Sequence, residues 1–450
     1  MTTVAMGGLI DWEMSGQSRL IFDLVTFSLF SALAGWLTNW TGVLMLFWPV
    51  VFRGIRIPGL AVAYPYFPRR MQVLPTFSGD GERLGFQGFI PARAEKMASI
   101  CADKALLRIG SPREFIEELD LDGIADHIAE LVRPQVPSLV DEVMNREHLD
   151  LWRGVPRPVK QLVFQQVDRE LPMLHRRAFD TLGGTVDQLI DVKSFVIRYL
   201  RDNPGILKDV TTTVAAPELR FMVRVGLLGG PFGLILALYL QVHHRIPVLG
   251  WLPDWVIVLL AAAAIGVIVN VIAIKMVFEP GDPQPWYRYL WRQALLAKRQ
   301  PQAAADLAHI LAYQVLTLPN LSRELLDGPN GDKTRRLLGH IISVEVQHRL
   351  GPARSMVRAA VGANRFDALE TGALDAAVGL VPNLVQDEVF TREQAQKIDE
   401  FAARKLGSLA PGEFMEMFYA SVEQDAWLLY LHGAVLGLAV GASHLLLFGW

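Results

Sequence analysis

The sequence predicts an all-α membrane protein, with four transmembrane helices in two tandem, parallel repeats and a helical cytoplasmic domain in each repeat. Three observations predict it. Of 450 residues 51% are hydrophobic, mean hydropathy is +0.27, and only 20% are charged, against roughly 25% in ordinary soluble domains. The apolar residues fall in blocks long enough to cross a bilayer. One block also recurs. Gly35-Trp-Leu-Thr-Asn39-Trp-Thr-Gly-Val-Leu-Met45-Leu-Phe47-Trp-Pro49 aligns without gaps to Gly266-Val-Ile-Val-Asn270-Val-Ile-Ala-Ile-Lys275-Met276-Val-Phe278-Glu-Pro280, and Gly, Asn, Met, Phe and Pro coincide.

Residues 1–20 form an outer N-terminal tail. It has no basic n-region and carries Asp11 and Glu13, so the first apolar stretch is expected to be retained as a span. Transmembrane span 1 covers 21–52, with Asp23, Thr38, Asn39 and Thr41 among its polar interruptions. At about 1.5 Å per residue this stretch exceeds the ~30 Å hydrocarbon core. It must tilt, emerge or break, with Gly35 and Gly42 as the weak points and Pro49 as the stop.

Residues 53–221 hold a lead-in and the first helical cytoplasmic domain. Pro58, Pro65, Pro68 and Pro75 with several glycines make 53–90 a poor helix, and its Tyr and Phe content places it against the membrane surface. From Pro91 the pattern turns helical over 91–109, 112–145, 157–200 and 205–221; Ile124, Ile128, Leu131, Val132 and Val136 make one apolar stripe. Pro134, Pro137 and Pro172 are expected to kink or divide these helices.

Span 2 is 222–241, followed by a short outer loop, 242–254, where Trp251 and Trp255 suit the interface. Span 3 is 255–279. Residues 280–425 hold an interfacial segment and the second helical cytoplasmic domain. Within them, Trp286, Tyr287, Tyr289 and Trp291 mixed with Arg288, Arg292, Lys298 and Arg299 predict an interfacial amphipathic helix over 281–299. A turn is expected at Gly328–Asp332, and span 4 covers 426–448. Gly229-x-x-x-Gly233 corresponds loosely to Gly433-x-x-x-Gly437, with Gly441 continuing the series; such glycines let helices approach closely. Arg53 and Arg56 follow span 1, Arg288 and Arg292 follow span 3, and Lys275 anchors the end of span 3, which places both helical domains in the cytoplasm and both termini outside.

Thr38, Asn39 and Asn270 are the candidate functional residues. A buried amide in lipid needs a partner, so each should face protein or water. They either line a polar seam at the repeat interface or hydrogen-bond between helices, and the second reading is favoured. Snorkelling suits Lys275, near a span end, better than ion coupling does. The net charge of −3 gives no basic field for nucleic acid, and the single Cys101 excludes an intrachain disulfide. His243-His244 lacks the further ligands of a metal site. No Walker, His-Glu-x-x-His or Gly-x-Ser-x-Gly motif occurs, so no catalytic residue, cofactor or metal is expected.

The paired motifs, with Gly85-Phe-Gln87-Gly88-Phe-Ile90-Pro91-Ala-Arg93 and the ending around Glu413-Phe414 and Gly433-Ala-Val-Leu-Gly437, resemble an uncharacterised bacterial inner-membrane family, domain of unknown function 445, with YjiN-like and YheB-like members. In this chain Trp48 and Glu279 stand where a basic residue commonly precedes the proline, and Val43-Leu44 replaces an Ile-Lys pair. The resemblance implies a multi-pass protein with helical cytoplasmic domains and supplies no activity. The expected function is therefore a non-enzymatic scaffold, a homo-oligomer in contact with membrane lipid and an unidentified protein partner. The alternative is a lipid or small-amphiphile transporter that uses the polar seam.

Overall fold

The computed structural model describes residues 16–68, 75–78, 81–101, 103, 110–242, 251–285, 290–350, 362–384, 387–423 and 426–448. The architecture is predominantly α-helical, and four helices are long and apolar enough to cross a membrane: Gln17–Phe47, Ala216–Leu240, Asp254–Phe278 and Ala426–Phe448. They are called here the first to fourth span helices. The chain divides into two compact units, one of residues 1–105, 200–306 and 408–450, the other of 106–199 and 307–407.

The first unit holds the four span helices. The first packs on the second and fourth, and the third on the fourth and second. Phe27, Leu236, Ala237, Leu240, Ile257, Val258, Ile265 and Val269 form a continuous buried cluster among them. The opposite faces are apolar too. Ile21, Val25, Leu29, Leu33, Trp36, Trp40, Leu44 and Trp48 form an exposed stripe, with exposures of 37–63%, at the three- and four-residue spacing of one helix face. A soluble protein could not leave so long an apolar ribbon in water, whereas a lipid-facing helix requires it. The first helix runs unbroken over Gly16–Phe47, so Gly35 and Gly42 are not breaks. About 48 Å long at 1.5 Å per residue, it outruns the hydrocarbon core without interruption.

The lead-in contains more order than its prolines suggest. Two antiparallel strands, β1 (Arg53–Arg56) and β2 (Arg83–Phe86), pair in the register Arg53↔Phe86, Gly54↔Gly85, Ile55↔Leu84 and Arg56↔Arg83. The turn before β2 uses Gly81 at φ +69°, where a Cβ would meet the Tyr64 ring. At its base the sheet is tied to the end of the first helix: Gly88 N–H donates to the Pro49 carbonyl at 2.9 Å, and the Gln87 amide to that of Val50 at 2.8 Å. The same service at the third helix comes from Ala294 N–H, which donates to the Pro280 carbonyl at 2.8 Å. Trp48–Pro49 and Glu279–Pro280 are both cis. The amphipathic helix expected over 281–299 is absent from the described residues. Residues 281–285 and 290–294 are non-helical, and the first helix here is Leu295–Lys298. Pro283 and Pro285 remove helix donors, and side chains return to the third helix instead: Trp291 Nε1 donates to the Glu279 carbonyl at 2.7 Å and Gln293 to that of Gly281 at 2.9 Å.

Among the described residues of this unit, an ion pair encloses a buried carboxylate. Arg299 reaches Glu218 at 3.0 Å, with the two side chains 20% and 4% exposed, and also donates to the Val214 carbonyl.

The second unit corrects the expected partition. Separate helical domains in 53–221 and 280–425 are replaced by one unit built from both stretches. Val136–Gly154 packs on Ala363–Leu384, Arg157–Leu189 on Gly331–Leu350, and Pro112–Glu118 on Glu388–Gly407. Phe115 meets Phe401 edge-on at 5.1 Å, Lys405 reaches Glu114 at 2.7 Å, Arg404 pairs with Glu118, and Arg198 meets Glu324 at 2.5 Å. Periodicity shows which face of a helix is apolar but not which helix covers it. Pro134 and Pro137 divide helices as expected, at a 3₁₀ turn and a first helical turn. Pro172 does not, since Arg157–Leu189 is continuous. The turn at 328–330 separates Leu318–Asp327 from Gly331–Leu350.

Two outcomes follow. Glu218→Ala removes the buried partner of Arg299, which keeps Asp306 at 3.6 Å and the Val214 carbonyl, and should cost about 1–3 kcal/mol in reversible unfolding in detergent; no measurable loss would contradict the buried pair. In the second unit, Asp120 caps Leu121–Val132 by accepting from Gly123 N–H at 2.8 Å, and that bond holds its carboxyl below the ordinary value of 3.8. The cap is fully present above the unfolded-state value and is lost as pH falls through the lower folded-state value. Asp120→Ala should therefore cost about 1 kcal/mol at neutral pH and progressively less in acid; a cost independent of pH would refute the charged cap.

Candidate functional site

Asn39 and Asn270 are each 5% exposed and Thr38 is 1% exposed. The two asparagines do not meet across a shared seam. Asn39 Nδ2 donates to the Met222 carbonyl of the second span helix at 2.5 Å, and Asn270 Nδ2 to the Leu429 carbonyl of the fourth at 2.6 Å. Each amide thus joins its own span helix to the one that follows it among the four. The first bond has a local cause. The Gly226 N–H donates to the Val223 carbonyl as the helix tightens into a 3₁₀ turn at Gly226–Leu228, so the Met222 carbonyl is open to the amide.

Glycines make that reach short. A Cβ on Gly35 would collide with the Gly226 carbonyl oxygen, and one on Gly266 with that of Gly433. One helical turn before these glycines lie Ser31 and Ala262, whose carbonyl oxygens a Cβ on Gly229 and on Gly437 would strike. Two turns before them, a Cβ on Gly233 would strike the Phe27 carbonyl, and one on Gly441 would lie 3.6 Å from the Val258 carbonyl. The contacts therefore correct the expected register: Gly226, Gly229 and Gly233 stand where Gly433, Gly437 and Gly441 stand, rather than Gly229 against Gly433. The spacing of three in one set and four in the other is absorbed by the 3₁₀ turn at Gly226–Leu228, which needs three residues per turn where an α-helix needs 3.6.

Thr38 lines a cavity of about 30 Å³ at the crossing of the four span helices, with Ser31, Gly35, Gly266, Gly437, Gly441 and His444. His444 is 2% exposed, its ring nitrogens have no hydrogen-bond partner among the described residues, and Phe27, Phe30 and Phe448 surround it at ring-centre distances of 4.1, 5.2 and 5.1 Å. The volume suits about two water-sized molecules. His432 Nε2 lies 2.9 Å from Thr41 Oγ1 and links the fourth helix to the first. Sequence reasoning missed both histidines, though a histidine inside an apolar helix is a direct signal of a buried polar contact.

The cationic residues are peripheral. Arg53 is exposed and Arg56 pairs with Glu82 at 2.5 Å. Lys275 is 45% exposed and sits 3.5 Å from Glu279. Arg292 is exposed, and its carbonyl accepts from Gln284 N–H at 3.0 Å. Arg288 and the pair His243-His244 lie outside the described residues. Among the described residues no three His, Cys, Asp or Glu side chains converge as a metal site would need.

Substitutions separate these contacts from ordinary helix packing. Asn39→Leu and Asn270→Leu should each lower stability in detergent by about 1–2 kcal/mol. Gly229→Ala and Gly437→Ala should each cost about 1–3 kcal/mol by overpacking. Gly184→Ala, with nothing within 4 Å of the new Cβ, should be neutral or stabilising by up to about 1 kcal/mol. Equal effects at all three glycines would contradict the close approach.

No family model, curated protein or solved structure matches the chain; the family resemblance rests on the motif residues alone.

Proposed function

We propose that this chain is a non-enzymatic scaffold of the bacterial inner membrane, a homo-oligomer whose four spans anchor helical regions on the cytoplasmic side. The observation that carries this reading is the use of the two deep amides. Asn39 and Asn270 are both spent on carbonyls of neighbouring helices, at 2.5 and 2.6 Å, so these amides tie helix to helix rather than facing an open path. Working surface is then supplied by the helices outside the spans. The recurrence of the Asn and Gly contacts in both helix pairs supports an origin by tandem duplication. The exposed Arg53, Arg56 and Arg292 beyond the first and third span helices support a cytoplasmic placement of the polar regions.

Lipid or small-amphiphile transport is the runner-up, supported by the cavity that Thr38, Ser31 and His444 line. Its volume of about 30 Å³ holds water-sized molecules and not a lipid. Crosslinking in cells with a lysine-reactive reagent, followed by native mass spectrometry in mild detergent, tests the scaffold. Self-adducts and a discrete oligomer are expected. A strictly monomeric protein with no adducts in cells would sink the reading.

A further inference from the structure

The β1–β2 sheet is two strands of four residues, and every residue of β1 is exposed. A lone two-stranded sheet is marginal in water unless something covers it. Side chains alternate along a strand, so the register puts Ile55 and Leu84 together on one face, 72% and 40% exposed. Val51, Val62 and Tyr66 nearby are 72%, 74% and 86% exposed. Arg56 and Arg83 stand directly opposite each other at the far end of the ladder, where like charges repel. Glu82 pairs with Arg56. Among the described residues the guanidiniums of Arg53 and Arg83 meet no carboxylate.

We propose that this sheet lies in the membrane interface and that Arg53, which shares a face with Ile55 and Leu84, binds the phosphate of an anionic phospholipid headgroup. The occupant is fixed by continuity. The exposed stripe of the first span helix ends at Trp40, Leu44 and Trp48, and the exposed apolar residues continue without a break into Val51 and Ile55. Two hydrogen bonds, from Gly88 to Pro49 and from Gln87 to Val50, hold the sheet at the helix end, so whatever bathes the end of that helix reaches the sheet. A protein partner would need to cover the sheet and stop short of the stripe, and nothing divides the two. The unpaired positive charge selects an anion, and a guanidinium offers phosphate a planar fork of donors.

The inference rests on the membrane reading above and is tested separately from oligomerisation. Full-length protein with Cys101→Ser and a nitroxide on Ile55→Cys is reconstituted in vesicles of phosphatidylcholine with one-fifth phosphatidylglycerol. The label should be more accessible to oxygen than to a nickel chelate; the reverse order would overturn insertion. In the same vesicles, native mass spectrometry counts retained phosphatidylglycerol. A basic residue near an anionic surface contributes about fivefold, so Arg53→Gln should lower its retention about fivefold. Arg169→Gln, on the second unit, should leave it unchanged. Equal retention by the Arg53→Gln variant and the parent would overturn the headgroup site. Competition by added inorganic phosphate would overturn the lipid as its ligand. None of these readouts depends on the oligomeric state, so failure here leaves the scaffold reading to its own test.

Discussion

An amide placed among membrane-length helices must find a carbonyl, because the surroundings offer no water to satisfy it. That requirement organises the span-bearing unit. Asn39 can reach Met222, and Asn270 can reach Leu429, only if the backbones come close. They come close only because glycines face each other at Gly35 and Gly226 and at Gly266 and Gly433. The bonds and the glycines are therefore one device. Without the glycines the amides would be stranded in an apolar bundle; without the amides the glycine crossings would lack the bond that fixes them along the helix axis. The 3₁₀ turn at Gly226–Leu228 lets two glycine series of different spacing achieve the same contacts.

The same helices bury one face and leave another apolar. Phe27 and Val258 are almost wholly buried, while Leu29, Leu33 and Trp40 on the first helix are 43–63% exposed. This arrangement is stable only where the outer face meets lipid. The sheet that follows the first helix extends the pattern, with exposed apolar and basic side chains side by side. Polar contacts at the helix ends, from Gly88 to Pro49 and from Ala294 to Pro280, fix how the chain leaves each span.

Much of this was legible in the sequence. Hydropathy located the four apolar helices, missing the ends of the first by up to five residues and the start of the second, Ala216, by six, because a 20-residue apolar run has few other uses. The gapless alignment of Asn39 with Asn270 pointed to a pair of buried amides. Their partners were not legible, since Met222 and Leu429 contribute backbone carbonyls, to which side-chain identity gives no clue. The glycine register was misjudged for a related reason: a 3₁₀ turn changes spacing without changing residue type. The joint second unit was hidden because an apolar stripe such as that around Ile124 does not name the helix that covers it. The β1–β2 sheet was hidden by Pro58 and Gly59, which signal a turn but not the short strands beside it.

The central claim is that the two deep amides are bonded to helix carbonyls rather than turned toward a polar path. Solid-state NMR on protein in lipid bilayers, with ¹⁵N placed in asparagine side chains, measures this through hydrogen exchange. The account predicts that the Nδ2 protons of Asn39 and Asn270, assigned by Asn→Leu variants, exchange far more slowly than those of the exposed Asn364. Exchange of both as fast as that of Asn364 would show the amides open to water and would contradict it.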